Sequence, residues 1–466
     1  MIGDLAAAVR AGTTSARDLV ARSFDRIARF NPTLNAVVAQ RGRDEALAEA
    51  AALDASIAGG GGASLPLAGL PLLVKDTDHA EGLPTTHGSL LYEGAAPAAA
   101  DSPMVARLRA AGAIVVGKSN VPEFAFEGFT NNRLFGATPN PWARDWSPGG
   151  SSGGAGAALI AGMVALATAT DGGGSVRIPA AYCGLAGLKP TEGLIGRDPI
   201  PSWMDMSTHG PLAVSVADVA LLLEVMSGPR AGDTSSRERW TPREGAWPSR
   251  VLAAPRFVDT GPLPDGIAAS FETSVAAFSA ATGLAVEAIP PPWLGERHPT
   301  IDEDWIVMAA VEEMTTLGRD LVAAEMDRFS PYFATMMKIA MKIPLDDYTD
   351  AKRRRFAYAR DLDLLLGKDV VLLTPTMCVE GFWADGRMVD RDGQATDAAV
   401  YNTAATNITC HPSLSVPAGC SANGVPFGLQ ITGPRWADDL VLAVGAAYEA
   451  ANPWPLAAPG YEPFAL

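Results

Sequence analysis

The stretch 147–189 constrains this chain more than any other, because it holds two glycine-serine clusters separated by an alanine-rich run. The first cluster, residues 149–154, contains Ser151 and the second, residues 171–175, contains Ser175. Glycine adds no side-chain bulk and tolerates positive φ, as a backbone approached closely by a ligand requires. A serine beside such bare amides suggests a nucleophile next to an oxyanion hole.

Two structural alternatives compete with that interpretation. Glycine clusters with serine are commonly plain turns or flexible loops. A membrane span is the second alternative, since residues 146–170 carry no charge. We reject the span because Pro148, the glycines and three serines leave only a short, alanine-rich apolar part, poor in Leu and Ile. Two linked clusters, followed by the motifs SVRIPA and GLKPT, favour a functional element over plain turns.

Helix and strand patterns alternate along the chain. Residues 70–76 form an apolar run that ends at Lys75, and residues 103–118 show a helix-then-strand pattern. A late strand over 370–373 precedes a Thr-Pro-Thr sequence. An amphipathic helix is predicted from Ser15, where Asp18 completes a capping-box-like sequence, to a stop at the Asn31-Pro32 pair. The alternation predicts an α/β layered fold with helices on both faces.

Composition narrows the possible partners. The chain has 466 residues, 48% of them hydrophobic, and a formal net charge of −16, which argues against a surface that binds nucleic acid. The basic run 352–355 is flanked by acidic residues and is predicted to be a solvated helix face. Residues 1–30 lack the apolar core of a signal peptide, so we expect a cytoplasmic protein. The four cysteines are widely spaced and predict neither a disulfide framework nor a metal site.

Three motifs together resemble those of a known family. They are GLPLLVKD (residues 69–76), PGGSSGG (residues 148–154) and DGGGSVRIPAAYCGLAGLKPT (residues 171–191). The chain is similar in these motifs to the amidase signature family of serine hydrolases. The resemblance extends to NPW at residues 140–142 and to PSLSVPAG and GVPFGLQITGP near the end of the chain.

The resemblance implies the domain organisation. Length alone suggests about three domains. The family instead implies one large domain over 1–466, built on a central twisted mixed β-sheet with helices on both faces. Its core motifs would occupy 65–225 and 370–460, and a variable helical region on the substrate side would occupy roughly 230–370.

The resemblance also implies the catalytic residues. Ser175 falls on the nucleophile of the family, Ser151 on the bridging serine that is typically held in a cis peptide, and Lys75 on the base. Lysine can act as a base only when neutral, and its ordinary pKa is about 10.4. Burial must therefore depress the pKa of Lys75, and the apolar run before it is consistent with this.

Further residues of the second cluster would support the reaction. The expected oxyanion donors are the backbone amides of Gly172, Gly173 and Gly174, with that of Ser175. The family usually has a larger residue at the position of Gly172, so this chain departs from the pattern there. The remaining supporting positions are Ser152, for the hydrogen-bond network, and Asp171 with Arg177, whose pairing is equally explained as a purely structural ion pair.

Apolar segments predict the walls of a substrate pocket. They follow the lysine strand, the nucleophile motif and the late strand, and they comprise Ala125, Phe126, Phe129, Trp203, Met204, Met206, Phe382 and Trp383. No arginine cluster accompanies them, so we expect an uncharged, partly aromatic or alkyl amide and not a carboxylate substrate. Aryl carbamates are included, because relatives in the family hydrolyse anilides, nylon oligomers and carbamates.

Other functions are weighed against this one. A histidine triad lacks a G-x-S-x-G elbow, and metal-dependent hydrolysis lacks H-E-x-x-H, so we expect no metal and no cofactor. Two further functions stay open, namely a transamidase subunit that acts on tRNA-bound glutamate and a catalytically silent binding protein. We expect a monomer or homodimer that binds a small molecule and no membrane. The five histidines considered for a triad are His79, His87, His209, His298 and His411.

Overall fold

The computed structural model describes residues 1–62, 64–243, 245–292, 301–387 and 401–465. His298 and small parts of the predicted segments 230–370 and 370–460 lie outside these ranges. The described residues form fourteen α-helices: α1 (Ile2–Arg10), α2 (Ala16–Leu34), α3 (Arg43–Ala58), α4 (Pro103–Ala110), α5 (Gly153–Ile160), α6 (Arg177–Cys183), α7 (Val216–Met226), α8 (Asp265–Thr282), α9 (Ile301–Leu317), α10 (Arg319–Ala324), α11 (Pro331–Ala340), α12 (Leu345–Leu366), α13 (Tyr401–Ile408) and α14 (Asp438–Ala451).

The same residues form thirteen β-strands. They are β1 (Val37–Gln40), β2 (Pro71–Lys75), β3 (Ile114–Ser119), β4 (Leu166–Ala167), β5 (Thr170–Asp171), β6 (Ala186–Lys189), β7 (Thr208–His209), β8 (Leu212–Ala213), β9 (Arg250–Ala253), β10 (Val286–Ala288), β11 (Val370–Pro375), β12 (Ser413–Cys420) and β13 (Pro426–Thr432). The predicted helix-strand pair at 103–118 corresponds to α4 and β3, and the predicted late strand corresponds to β11.

The strands pair in two large ladders. One ladder has the order β1-β3-β2-β4, and the other has the order β10-β9-β11-β13-β12-β6-β8. Both ladders mix parallel and antiparallel pairs: β2 runs parallel to β3 and β4, whereas β12 runs antiparallel to β13 and β6. The structure therefore contains the mixed parallel and antiparallel pairing that was predicted.

A short segment joins the two ladders. Within residues 208–213, β7 pairs with β5, the Gly210 N–H donates to the Ala169 carbonyl at 3.1 Å, and β8 pairs with β6. Strands β2 and β13 are buried along their whole length, so packing covers both of their faces. These observations confirm a single-domain α/β fold around a mixed central sheet.

Helix α6 packs unusually close to this sheet. A Cβ atom on Gly187 of β6 would lie 2.7 Å from the Ala180 Cβ, and one on Gly428 of β13 would lie 2.6 Å from the Ala181 Cβ. Because real Cβ atoms do not approach so closely, the two strand glycines allow α6 to lie directly on the sheet. This contact fixes the start of α6, two residues after Ser175.

Helix α2 begins as predicted and ends later. The Ser15 hydroxyl accepts the Asp18 N–H at 2.9 Å and caps the helix. The predicted stop at Asn31-Pro32 was wrong, because α2 continues to Leu34 with Pro32 inside it. Two tertiary features outweigh the proline: Leu34 is fully buried, and the Asn31 side chain accepts the N–H groups of Ala36 and Val37 at 2.8 Å.

Three predictions of absence concern features that side chains or helices would show. None of the described helices is long and apolar enough to cross a membrane. The four cysteines, all within the described ranges, form no disulfide with one another. In the same part of the chain, no group of three or more His, Cys, Asp or Glu side chains is arranged to hold a metal ion.

Candidate active site

The two glycine-serine clusters meet where α5 and α6 begin. Ser151 directly precedes the start of α5, and the Gly150–Ser151 peptide bond is cis. Ser175 lies just before α6, and the Ser152 N–H donates to the Ser175 carbonyl at 3.3 Å. Ser151 is fully buried and Ser175 is 8% exposed. The fold thus brings the predicted nucleophile and bridging serine together.

Lys75 joins them from the end of β2. Its side chain is fully buried, and Nζ donates to the Ser151 hydroxyl at 2.8 Å and to the Thr170 hydroxyl at 2.7 Å. Burial lowers the pKa of Lys75 to about 7, although the negative charges of Asp78 and Asp171 raise it. A large share of Lys75 is therefore neutral at neutral pH, as a proton acceptor for Ser151 must be. Sequence reasoning missed Thr170, which directly precedes the second cluster.

This pKa predicts the pH dependence of activity. Because Lys75 accepts protons only when neutral, kcat/KM should rise with pH through about 7. The Asp78→Asn substitution removes a negative charge that favours the lysine ammonium, so it should lower the Lys75 pKa and move the acid limb of the profile to lower pH. A pH–rate profile of both proteins is the measurement; an acid limb that moves to higher pH would contradict this electrostatic account.

Asp171 and Arg177 form a fully buried pair beside the serines. Two guanidinium nitrogens of Arg177 donate to the Asp171 carboxylate at 2.9 and 2.7 Å. Burial alone would raise the pKa of Asp171, but the charge of Arg177 lowers it to about 2. Arg177 also donates to Thr406, Asn407 and Gln430. The pair therefore ties the nucleophile loop to α13 and β13, which fits the predicted supporting role.

The Asp171 carboxylate also decides which amides are free to bind an oxyanion. It accepts the Gly174 N–H at 2.8 Å and the Val176 N–H at 3.2 Å. Gly174 was a predicted oxyanion donor, but its N–H is occupied because Asp171 caps the loop. The N–H groups of Gly172, Gly173 and Ser175 have no acceptor among the described residues. These three amides are the candidates that the geometry leaves available.

The departure at Gly172 has a structural explanation. A Cβ atom at Gly172 would collide with the six-membered ring of Trp203, and one at Gly173 would lie 2.6 Å from a ring carbon of Trp305. The Trp305 Nε1–H donates to the Gly172 carbonyl at 3.0 Å. Two indole rings therefore occupy the space that side chains on this loop would need, and they hold its backbone in place.

The Gly172→Ala substitution should therefore lower kcat/KM by about tenfold or more, because the new methyl group must displace the Trp203 indole. The Gly172 backbone is not in the left-handed region, so the effect would come from the collision. Combining it with Trp203→Leu should restore part of the loss by making room. Gly3→Ala, whose Cβ would meet only Leu221 at 3.7 Å, is the matched control. Full activity in Gly172→Ala would show that the ring moves freely.

A cavity of about 480 Å³ opens onto Ser151, Gly172 and Ser175. Of the predicted pocket residues, only Ala125 and Trp203 line it. Phe126, Phe129, Met206 and Phe382 are instead buried in the aromatic and apolar packing behind the wall. Met204 is 46% exposed at the surface, and Trp383 stacks on Trp146 with ring centroids 4.5 Å apart.

The packing explains why those six residues do not reach the cavity. Phe126 meets Trp203 edge-on, with ring centroids 5.3 Å apart, and lies among Trp305 and Phe333. Trp203 therefore presents the surface that Phe126 was expected to present. Sequence reasoning missed most of the remaining wall, which includes Asp78, His79, His87, Tyr92, Phe124, Arg197, Asp198, Pro199, Ile200, Pro201, Ser202, His209, Glu313, Thr316 and Leu317.

The histidines of the cavity pair elsewhere. His209 Nε2 lies 3.1 Å from an Asp78 carboxylate oxygen, and His79 Nδ1 lies 3.0 Å from the Thr85 hydroxyl. Burial lowers the pKa of His87 to about 4. In the described part of the chain, no histidine forms a hydrogen bond with Ser151 or Ser175. The contacts of Ser151 therefore favour a lysine base over a histidine triad.

Comparison with known proteins agrees with this geometry. The profile of the amidase family matches residues 18–442. The chain belongs to the amidase signature family. Its similarity to solved structures includes a bacterial aryl acylamidase of this family, with a TM-score of 0.87, 29% identity, and coverage of 97% of this chain and 96% of that one.

Two curated members of the amidase signature family illustrate its range. An acylamidase of Rhodococcus erythropolis is 33% identical, over 97% of this chain and 95% of its own length. The amidase-type component of the glutamyl-tRNA(Gln) amidotransferase of Nocardia farcinica is 34% identical, over 96% of this chain and 97% of its own length. These similar identities support an amidase that cleaves C–N bonds and leave its substrate to be argued from the site.

Proposed function

We propose that this amidase hydrolyses C–N bonds through an acyl-enzyme on Ser175, with Ser151 and Lys75 as the proton relay. The observation that carries the proposal is the contact between Lys75 Nζ and the Ser151 hydroxyl at 2.8 Å, made by a fully buried lysine. Buried lysines with a depressed pKa are suited to act as bases. Ser175 borders the cavity on the side where a carbonyl group can approach the loop amides.

The reaction follows from these positions. The Ser175 oxygen attacks the carbonyl carbon and gives its proton to Ser151, whose own proton passes to Lys75. The oxyanion is held by the free amides of the loop. The protons return along the same path to the leaving nitrogen, the C–N bond breaks, and an ester remains on Ser175. Water then attacks this ester by the same relay, which releases the acid and restores the serine.

The cavity supports small, largely apolar substrates. Its walls include Phe124, Pro199, Ile200, Trp203 and Leu317. Arg197, a guanidinium in the wall, is paired with Asp233 at 3.1 Å and with Glu192. A substrate carboxylate would therefore compete for an occupied cation. Anilides and aryl carbamates fit these walls, because both present a polarised carbonyl beside an aromatic ring.

The competing functions are a binding protein and a component of a transamidase complex. The relative from Nocardia farcinica keeps the second in view, but a net charge of −16 disfavours contact with tRNA. The purified protein, without ATP, tRNA or partner proteins, should hydrolyse para-nitroanilides and an aryl carbamate with higher kcat/KM than glutamine or malonamate. Preference for the small charged amides would overturn the substrate proposal, and binding without turnover would support a binding protein.

A further inference from the structure

Glu313 places a carboxyl group in the wall of the cavity that contains Ser175. It lies on α9, its side chain is 6% exposed, and it accepts a hydrogen bond from the Ser202 side chain. Among the described residues, no lysine, arginine or histidine forms an ion pair with it. Burial raises the pKa of Glu313 to about 7. A buried carboxyl without a cation is costly unless a ligand supplies one.

Neighbouring acids on the same helix do have partners. Glu312 contacts Lys352 Nζ at 3.1 Å and accepts from the Tyr348 hydroxyl at 2.9 Å. Asp304 pairs with Arg354 at 2.6 Å. The missing cation therefore distinguishes the acid that faces the cavity from those that face the rest of the protein.

Trp203 adds a second group to this part of the wall. It follows Ser202 in the chain, lines the cavity and is 7% exposed. Its Nε1–H is buried and has no acceptor within the described ranges, whereas that of Trp305 is satisfied by the Gly172 carbonyl. Indole faces attract cations, which are also the natural partners of a carboxylate.

We propose that Glu313 and the Trp203 indole form a subsite for a positively charged amino group of the substrate, remote from the scissile bond. The proposal rests on the proposed function, because both sets of residues share one cavity. It narrows the substrate class to apolar amides or carbamates that carry an ammonium group at their far end. The carboxylate would accept hydrogen bonds from the ammonium while the indole covers its charge.

Matched substrates test the subsite in the full-length protein. One pair is 6-aminohexanoyl anilide and heptanoyl anilide, and the other is 4-(aminomethyl)acetanilide and 4-ethylacetanilide. Together they place the ammonium on either side of the scissile bond. At about pH 8.5 Glu313 is ionised and the amines are still mostly protonated. In at least one pair, wild-type kcat/KM should be about tenfold higher for the ammonium member, and Glu313→Gln should lower this ratio about 10- to 100-fold.

Glu303→Gln is the matched control, because Glu303 lies exposed on the same helix. Its ratios should equal those of the wild type. Wild-type preference for the neutral member of both pairs would overturn the subsite, as would an unchanged ratio in Glu313→Gln.

A binding measurement separates failure of the subsite from failure of the proposed function. Calorimetry with Ser175→Ala protein needs no turnover and compares benzylammonium with benzyl alcohol as probes. Benzylammonium should bind at least tenfold more tightly, and adding Glu313→Gln should remove the difference. Equal binding of both probes would overturn the subsite even if anilides are hydrolysed. Selective binding without any hydrolysis would support the subsite and overturn the proposed function.

Discussion

Ser175→Ala should lower kcat for anilide hydrolysis by about 10⁴-fold or more, because no other described side chain stands in the same position before α6. The substitution removes one oxygen atom whose residue is 8% exposed and faces the cavity. We therefore expect the melting temperature to change little. Steady-state kinetics and thermal unfolding of the same preparation measure both quantities.

The matched control is Ser249→Ala, which removes a hydroxyl from an exposed residue outside the cavity. It should keep wild-type kinetics. Near-normal hydrolysis by Ser175→Ala, in a preparation free of host amidases, would exclude Ser175 as the nucleophile.

Lys75→Met should lower kcat by about 10²- to 10⁴-fold, the usual contribution of a positioned base. Methionine fills most of the space of the buried lysine stem and cannot accept a proton. The substitution removes the hydrogen bonds to Ser151 and Thr170, but it also removes a charge that is costly to bury. The protein should therefore stay folded, as circular dichroism and thermal unfolding would show.

The pH profile gives this prediction a second measurement. Residual activity of Lys75→Met should lose the acid limb near pH 7 that the wild type owes to the lysine. Lys118→Met is an informative comparison, since Lys118 is equally buried but contacts Asp76, and it should keep the acid limb in whatever activity remains. An unchanged acid limb in Lys75→Met would assign that ionisation to another group.

The catalytic cluster could be anticipated from the sequence because its constraints are local. Each of the three residues lies at a sharp boundary: Lys75 ends an apolar strand, Ser151 lies among glycines before α5, and Ser175 lies among glycines before α6. Such boundaries are visible in residue types and spacing. The α/β layering follows in the same way from the alternation of helix and strand patterns.

The substrate wall could not be anticipated, because it depends on contacts between distant segments. Phe126 and Trp203 have similar character in the sequence, and only tertiary packing determines that the indole covers the phenylalanine. Glu313 lies in a helix whose neighbouring acids all look alike, and nothing local marks it as the one that faces the cavity. Gly174 likewise differs from Gly172 only through the reach of the Asp171 carboxylate.

Labelling with phenylmethylsulfonyl fluoride, followed by peptide mass spectrometry, tests most directly whether Ser175 is the nucleophile that the buried lysine activates. The reagent should inactivate the protein and leave one sulfonyl group on the peptide that contains Ser175. Labelling should be much slower in Lys75→Met, which lacks the base. Inactivation with the sulfonyl group on a different peptide, or labelling of Ser175 at an equal rate without Lys75, would contradict the proposed relay.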